Sequence, residues 1–168
     1  MSAERRRWKR GGAAFLAKTG VGLLLLTGLL LPPGHAATTE RIVVDPNRGL
    51  ALSGFDPVAY FTNAKPLIGR GDLEMSFAGA TWRFRNEGNR AAFAENPEVY
   101  LPMFGGHDPV AVTRGTATPG HPQIWLISGE RLYLFYSPEA REAFAADPET
   151  IAAEATRKWA EVLLTISP

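Results

Sequence analysis

The sequence contains no cysteine, and this absence excludes several kinds of chemistry. Without thiols the chain forms no disulfide, offers no thiolate to a metal ion or an iron–sulfur cluster, and has no cysteine nucleophile. Histidine is nearly as scarce, with three in 168 residues, and His35 belongs to the leader described below. His107 and His121 remain, which is fewer than the three or four ligands of a usual mononuclear zinc site.

Recognisable catalytic and nucleic-acid-binding patterns are also missing. There is no Gly-x-Ser-x-Gly elbow, no His-Glu-x-x-His helix and no glycine loop of the phosphate-binding kind. Beyond residue 36 the chain has 12 basic and 16 acidic residues, a net charge of −4, and no basic run. A mildly acidic domain is a poor partner for nucleic acid, so we expect a small ligand or another protein instead.

The first 36 residues have the order of a signal peptide. A basic stretch containing Arg5 to Arg10 precedes the apolar residues 21–31, and Gly34-His35-Ala36 offers a small-x-small cleavage site. We therefore predict cleavage after Ala36 and a single exported domain over 37–168, periplasmic or secreted. The alternative is an uncleaved anchor over 13–31, which reaches membrane-spanning length only by including Lys18. In that case the leader would be the only contact with the membrane.

A pattern of aromatic and small residues recurs 51 positions along the chain. A constant offset over about 18 residues indicates one supersecondary unit used twice, and the alternative is chance similarity between two strand–helix units. The matching residues are Trp82 with Tyr133, Phe84 with Phe135, Arg90 with Arg141, 92–94 with 143–145, and 97–98 with 148–149.

Local patterns predict an α+β fold with a small antiparallel sheet built from two β-hairpin–helix units, and with the helices packed on one face. Alternating residues predict a hairpin before each of two helices, which begin after the capping residues Asn86 and Ser137. Residues 42–44 are a candidate short strand, and 58–61 fit either a strand or a single helical turn. A longer helix with one apolar face should end the chain.

The turn Phe104-Gly105-Gly106-His107-Asp108 is the main candidate for a functional site. Two glycines permit positive φ or close backbone approach, and the second unit has no matching Gly-Gly-His-Asp, so the turn resembles an insertion specific to one copy. The alternatives are solvent-facing or hydrogen-bonded loop histidines, and a purely turn-forming role for Asp56 before Pro57. The candidate ligand-binding residues are Asp56, Tyr60, Phe104, Gly105 and Gly106, and the candidate metal ligands are His107, Asp108 and His121.

A series of motifs covers roughly residues 50–159. The motifs are Gly54-Phe55-Asp56-Pro57-Val58-Ala59-Tyr60-Phe61, Gly79-Ala80-Thr81-Trp82-x-Phe84, Asn89-Arg90-x-x-Phe93, Asn96-Pro97-Glu98-x-Tyr100-x-Pro102, Phe104-Gly105-Gly106 and Leu132-Tyr133-Leu134-x-Tyr136-Ser137. In this order and at this spacing, they together resemble the exported bacterial YHS-domain family.

The resemblance implies a small α+β binding module, and it implies a metal ion as one expected ligand. Where the family tends to have Tyr-Cys after the glycine pair, this chain has His107-Asp108. Nitrogen and oxygen ligands favour a divalent ion such as Zn²⁺ over Cu⁺. The leading hypothesis is an exported, non-enzymatic YHS-type binding domain for a metal ion or small ligand. A small exported enzyme using Asp56, His107 and Asp108, and a protein-interaction module without a small ligand, remain as alternatives.

Overall fold

In a computed structural model of the chain, residues 42–166 are described. The predicted leader over 1–36 and the predicted start at Ala37 lie outside these residues. Within 42–166, no helix is both long and apolar enough to cross a membrane. The helices are α1 (Ala59–Thr62), α2 (Glu87–Glu95), α3 (Pro97–Tyr100), α4 (Pro109–Thr113), α5 (Pro138–Ala146) and α6 (Pro148–Thr165), and the strands are β1 (Arg70–Phe77), β2 (Ala80–Phe84), β3 (His121–Ser128) and β4 (Arg131–Phe135).

The predicted α+β class is confirmed, with one difference in the sheet. β1 pairs with β2, and β3 pairs with β4, each antiparallel, so the strands form two separate two-stranded sheets rather than one. Each hairpin has an irregular register near its open end, between Arg70 and Glu74 in one and between His121 and Trp125 in the other. These two irregularities are 51 residues apart, as the sequence offset requires.

The repeat extends well beyond the 18 residues in which the sequence shows it. Residues 50–100, the first copy, and residues 102–151, the start of the second copy, follow the same order: a 3-10 turn, a short helix, a hairpin and two helices. Equivalent parallel bridges join each turn to its own hairpin, Leu50 to Thr81 and Pro102 to Leu132. The copies differ mainly in their last helix, which is the four-residue α3 in one and the 18-residue α6 in the other.

The starts of α2 and α5 are fixed by the capping residues that the sequence predicts. The side chain of Asn86 accepts a hydrogen bond from the backbone N–H of Asn89, and that of Ser137 accepts one from Ala140. Each bond satisfies one of the free N–H groups of a first helical turn. The strand predicted at 42–44 is reduced to a single bridge, from Val44 to Ala51. The segment at 58–61 adopts the helical turn, one of its two predicted alternatives, as part of α1.

Two aromatic clusters form the core, and strand β4 lies between them. Trp82, Phe84 and Phe93 are fully buried in the first cluster, and Phe135 and Phe144 in the second. Successive side chains of a strand point to opposite faces. Leu132 and Leu134 therefore enter the first cluster, while Tyr133 and Phe135 enter the second. The corresponding outer positions on β2, Thr81 and Arg83, are only half-buried. β4 thus ties the two copies together.

Candidate functional site

The glycine turn of the second copy has an exact structural counterpart in the first. Leu52, Ser53 and Gly54 have φ of 52°, 52° and 85°, and Phe104, Gly105 and Gly106 have φ of 54°, 62° and 92°. The turns are 52 residues apart, one more than the offset of the hairpins. The extra residue lies in the loop between the short helix and the hairpin, where Asp56 N–H bonds Leu67 O and Asp108 N–H bonds Thr118 O.

This correspondence corrects the interpretation of Gly-Gly-His-Asp as an insertion specific to one copy. The sequence Ser53-Gly54-Phe55-Asp56 holds the same place as 105–108. Both turns also make the same next contact, since Gly69 N–H bonds Gly54 O and Gly120 N–H bonds Gly106 O, each at 2.8–2.9 Å. The turn is therefore part of the duplicated scaffold, and any function specific to the second copy must come from residues that differ between the copies.

Asp56 and Asp108 are buried carboxylates that hold equivalent turns. Asp56 Oδ1 accepts from Val58 N–H at 2.9 Å, and Asp108 Oδ1 accepts from Val110 N–H at 2.8 Å. The second oxygen of each reaches the hairpin of its own copy: Asp56 Oδ2 accepts from Arg85 N–H at 2.8 Å, and Asp108 Oδ2 accepts from the N–H of Tyr136 at 3.0 Å. Such bonds to ionised groups are stronger than neutral ones. For Asp56, these contacts agree with the turn-forming role that the sequence predicts as one alternative.

His107 is a buried residue whose ring packs within the second cluster. Its Nδ1 lies 2.8 Å from Phe104 O, and its ring centroid lies 5.4 Å from that of Trp159. A carbonyl oxygen can only accept a hydrogen bond, so Nδ1 is the ring nitrogen that carries the hydrogen. Burial lowers the pKa of His107, and the bond to Phe104 opposes that shift only in part. The ring is therefore held neutral inside the fold.

Tyr60 and Phe104 also lie in the interior. The Tyr60 hydroxyl donates to Pro122 O at 2.8 Å, and burial followed by the charge of Asp56 raises the pKa of that hydroxyl. Phe104 packs against Tyr133 and Trp159 with ring centroids 6.3 and 5.6 Å apart. Tyr60 therefore joins α1 of the first copy to β3 of the second, and Phe104 is a core residue.

Gly105, Gly106 and His121 do share a pocket. It has a volume of about 320 Å³ and lies where the turn of the first copy, at Leu52 and Ser53, meets the turn of the second. We call it the turn pocket. Its wall is completed by residues 43–46 on one side and by Pro119, Gly120, Pro122, Leu134 and Tyr136 on the other.

The pocket depends on a close approach of backbone at Gly120. A Cβ atom there would lie 2.6 Å from Leu134 Cβ and 2.9 Å from Gly106 O, distances that real side chains do not reach. On the opposite wall, Val43 N–H bonds Gly105 O at 2.8 Å and holds the incoming chain against the turn. Because residue 120 is glycine, its backbone can approach Leu134 and Gly106 closely, and this close approach shapes one wall of the pocket.

The predicted metal ligands do not form a metal site within the described residues. Over 42–166, no group of three or more histidine and acidic side chains is placed to hold an ion. His107 Nδ1 is bonded to a carbonyl, and both oxygens of Asp108 accept backbone N–H groups. His121 Nδ1 accepts the N–H of Gln123 at 3.2 Å. A zinc ion held by Nδ1 of either histidine would have to displace one of these bonds.

Sequence reasoning missed the residues that complete the turn pocket, above all Tyr136, Ser53 and the segment 43–46. Tyr136 is 67% exposed although it is aromatic and directly follows a buried strand. A repeat search that allowed one inserted residue would have aligned Ser53-Gly54 with Gly105-Gly106 and brought both turns to attention.

Comparison of the chain with protein-family models, with curated proteins and with solved structures finds no match.

Proposed function

We propose that this protein is an exported, non-enzymatic binding domain, similar to YHS domains, which holds a small organic ligand in the turn pocket. The observation that carries the proposal is the pocket itself. Two equivalent turns meet there, and the volume of about 320 Å³ is at the lower end of the range for small-molecule sites. The resemblance of residues 50–159 to the YHS family supports the same class of function.

The lining of the pocket indicates the kind of ligand. Leu52, Leu134 and the three prolines at 46, 119 and 122 offer apolar surface, and the exposed ring of Tyr136 offers a face for stacking. Because His121 Nδ1 accepts a backbone N–H, the neutral ring carries its hydrogen on Nε2 and donates from there. A small, mostly apolar molecule with one hydrogen-bond acceptor fits this lining.

The contacts of Asp56, His107 and Asp108 favour binding over catalysis. A general base must reach the proton that it removes. Here the two carboxylates belong to equivalent turns in different copies, and each accepts backbone N–H groups on both oxygens. The histidine packs on Trp159 with Nδ1 on a carbonyl. The contacts of these three residues are structural ones, which supports a binding role for the domain over a catalytic one.

The test is to look for a bound small molecule in untagged protein purified from its native host. Native mass spectrometry should show an added mass that disappears on denaturation. We expect Tyr136→Ala and His121→Ala to lose the adduct, because both side chains line the turn pocket. Arg70→Ala is the matched control, since Arg70 holds in the first copy the place of His121 in the second.

The proposal fails if no adduct is present and ¹⁵N-labelled protein shows no localised shifts around Gly105, Gly106 and Gly120 in a small-molecule fragment screen. A co-purifying protein in place of a small molecule would instead favour the interaction-module hypothesis. Retention of the adduct in both pocket variants would place the ligand elsewhere on the domain.

A further inference from the structure

A second pocket lies beside Asp108, where a side chain that contacts the aspartate of the first copy has no counterpart in the second. In the first copy, Asn89 on α2 donates its Nδ2 hydrogen to Asp56 Oδ2 at 2.6 Å, beside the Arg85 N–H. The equivalent residue on α5 is Ala140. Both residues make the same backbone bond to their capping side chain, Asn89 to Asn86 and Ala140 to Ser137. The two positions therefore correspond in space as well as in sequence.

Without an amide at position 140, Oδ2 of Asp108 has one donor fewer than Oδ2 of Asp56. Among the donors within residues 42–166, Asp108 Oδ2 accepts only the backbone N–H of Tyr136, at 3.0 Å, whereas Asp56 Oδ2 accepts two donors. A carboxylate oxygen has two lone-pair positions. Asp108 is also 98% buried, since only 2% of its surface is exposed. A buried acceptor therefore has unused capacity in the direction from which Asn89 approaches Asp56.

The space that the missing side chain leaves is open. A pocket of about 370 Å³ is lined by both Asp108 and Ala140, and its remaining wall includes Val110, Arg114, Thr118 and Ser137. We call it the Asp108 pocket. Its lining combines the buried carboxylate of Asp108 with two hydroxyl groups, a guanidinium and the carboxylate of Glu139 beside apolar side chains, a mixture of apolar and polar groups like that of small-molecule sites.

We propose that the Asp108 pocket binds a small molecule through a primary amide or ammonium group, whose N–H donates to Asp108 Oδ2 in place of the Asn89 amide. A hydrogen bond from N–H to an ionised, desolvated carboxylate is among the stronger ones in proteins. The first copy shows that the geometry accepts such a donor, because its own side chain supplies one. Tyr136 lines both this pocket and the turn pocket, but Asp108 and Ala140 line only this one, so the proposal does not depend on the function proposed for the turn pocket.

The experiment titrates the full mature domain with acetamide and with methylammonium, following backbone amides by ¹H–¹⁵N NMR. Shifts should concentrate at Tyr136, Val110 and Ala140, with affinities in the millimolar range expected of very small fragments. Acetone, which has nearly the shape of acetamide but no N–H, is the matched control and should shift these amides far less.

Two variants fill the pocket from within. Ala140→Asn restores the amide of the first copy, and Ala140→Leu occupies the space without a donor, so whichever of them folds can be used. We expect either one to weaken acetamide binding at Asp108 by about tenfold or more, the factor for one hydrogen bond to a charged group. Asn89→Ala should open the equivalent place in the first copy, and acetamide should then also shift the amide of Arg85.

The proposal is overturned if neither donor probe shifts these amides, if acetone shifts them equally, or if the filled variants bind acetamide as the wild type does. Shifts at Arg85 in the wild type would likewise contradict it, because the Asn89 amide already occupies that place.

Discussion

His107 shows at the scale of one residue how the two copies diverged under a common scaffold. It holds the place of Phe55 in the first copy, and both residues precede the turn-locking aspartate. Both also pair with a residue two positions before their own hairpin, Phe55 with Ile68 and His107 with Pro119. The histidine therefore replaces an aromatic packing residue and brings a titratable group into the interior.

We predict that this histidine makes the domain less stable in mild acid. Because burial lowers the pKa of folded His107 below its ordinary value, the unfolded chain binds the proton more readily. The stabilising effect of the neutral ring is full above the unfolded pKa of about 6.5 and is lost as the pH falls below it. The urea midpoint of the wild type should therefore decrease from pH 7.5 to pH 6.5 and again to pH 5.5.

The control for this prediction is His107→Phe, which introduces the residue type that the first copy has at the equivalent position, Phe55. Its stability at pH 7.5 will itself change, because the bond to Phe104 O is lost. The informative quantity is the slope between pH 7.5 and 5.5, which should be smaller in the variant. Equal slopes would mean that other groups cause the pH dependence.

At the scale of elements, local signals in the sequence located α2, α5 and α6 well but not the turns. Asn86 and Ser137 cap helices where their side chains accept nearby backbone N–H groups, which depends only on a few adjacent residues. The turns at 52–54 and 104–106 contain Leu52, Ser53 and Phe104 at positive φ, which ordinary side chains rarely adopt. Tertiary contacts impose that conformation, so no local pattern predicts it.

The packing of α2 and α5 on their hairpins yields a stability prediction. Phe93 and Phe144 are fully buried at equivalent places, and each lies 5.3 Å from the phenylalanine of its hairpin, measured between ring centroids. Replacing either by alanine should lower the free energy of unfolding by about 3–5 kcal/mol, the usual loss for a core phenylalanine.

Urea unfolding would measure this loss, with Tyr136→Ala as the control. Tyr136 is aromatic but 67% exposed, so its removal should change the free energy of unfolding by less than about 0.5 kcal/mol. If Phe93→Ala and Phe144→Ala cost no more than the control, the two helices do not anchor the core.

At the scale of the whole molecule, the repeated hairpin and helix were visible in the sequence, but the duplication of the site was not. One residue more in the first loop shifts the offset from 51 to 52 before the hairpin. Substitutions such as Phe55 to His107 then disguise the match. The sequence also gave no reason for β4 to be buried on both faces, since its equivalent β2 is not. That asymmetry arises only when the two copies pack together.

The last prediction concerns export of the whole chain. A basic stretch, an apolar stretch and Gly34-His35-Ala36 are the features that a signal peptidase recognises, and small residues at the cleavage site are required for its action. Protein from the native host should therefore begin at Ala37 by N-terminal sequencing and be released with the periplasmic or secreted fraction.

Ala36→Tyr should block cleavage and leave the apolar stretch attached, so that the protein moves to the membrane pellet. Gly11→Ala, just after the basic stretch and away from the cleavage site, is the control and should be processed normally. Wild-type protein that starts at Met1 and sediments with membranes would instead establish the leader as an anchor. The domain over 37–168, with its net charge of −4, would then act at the membrane surface.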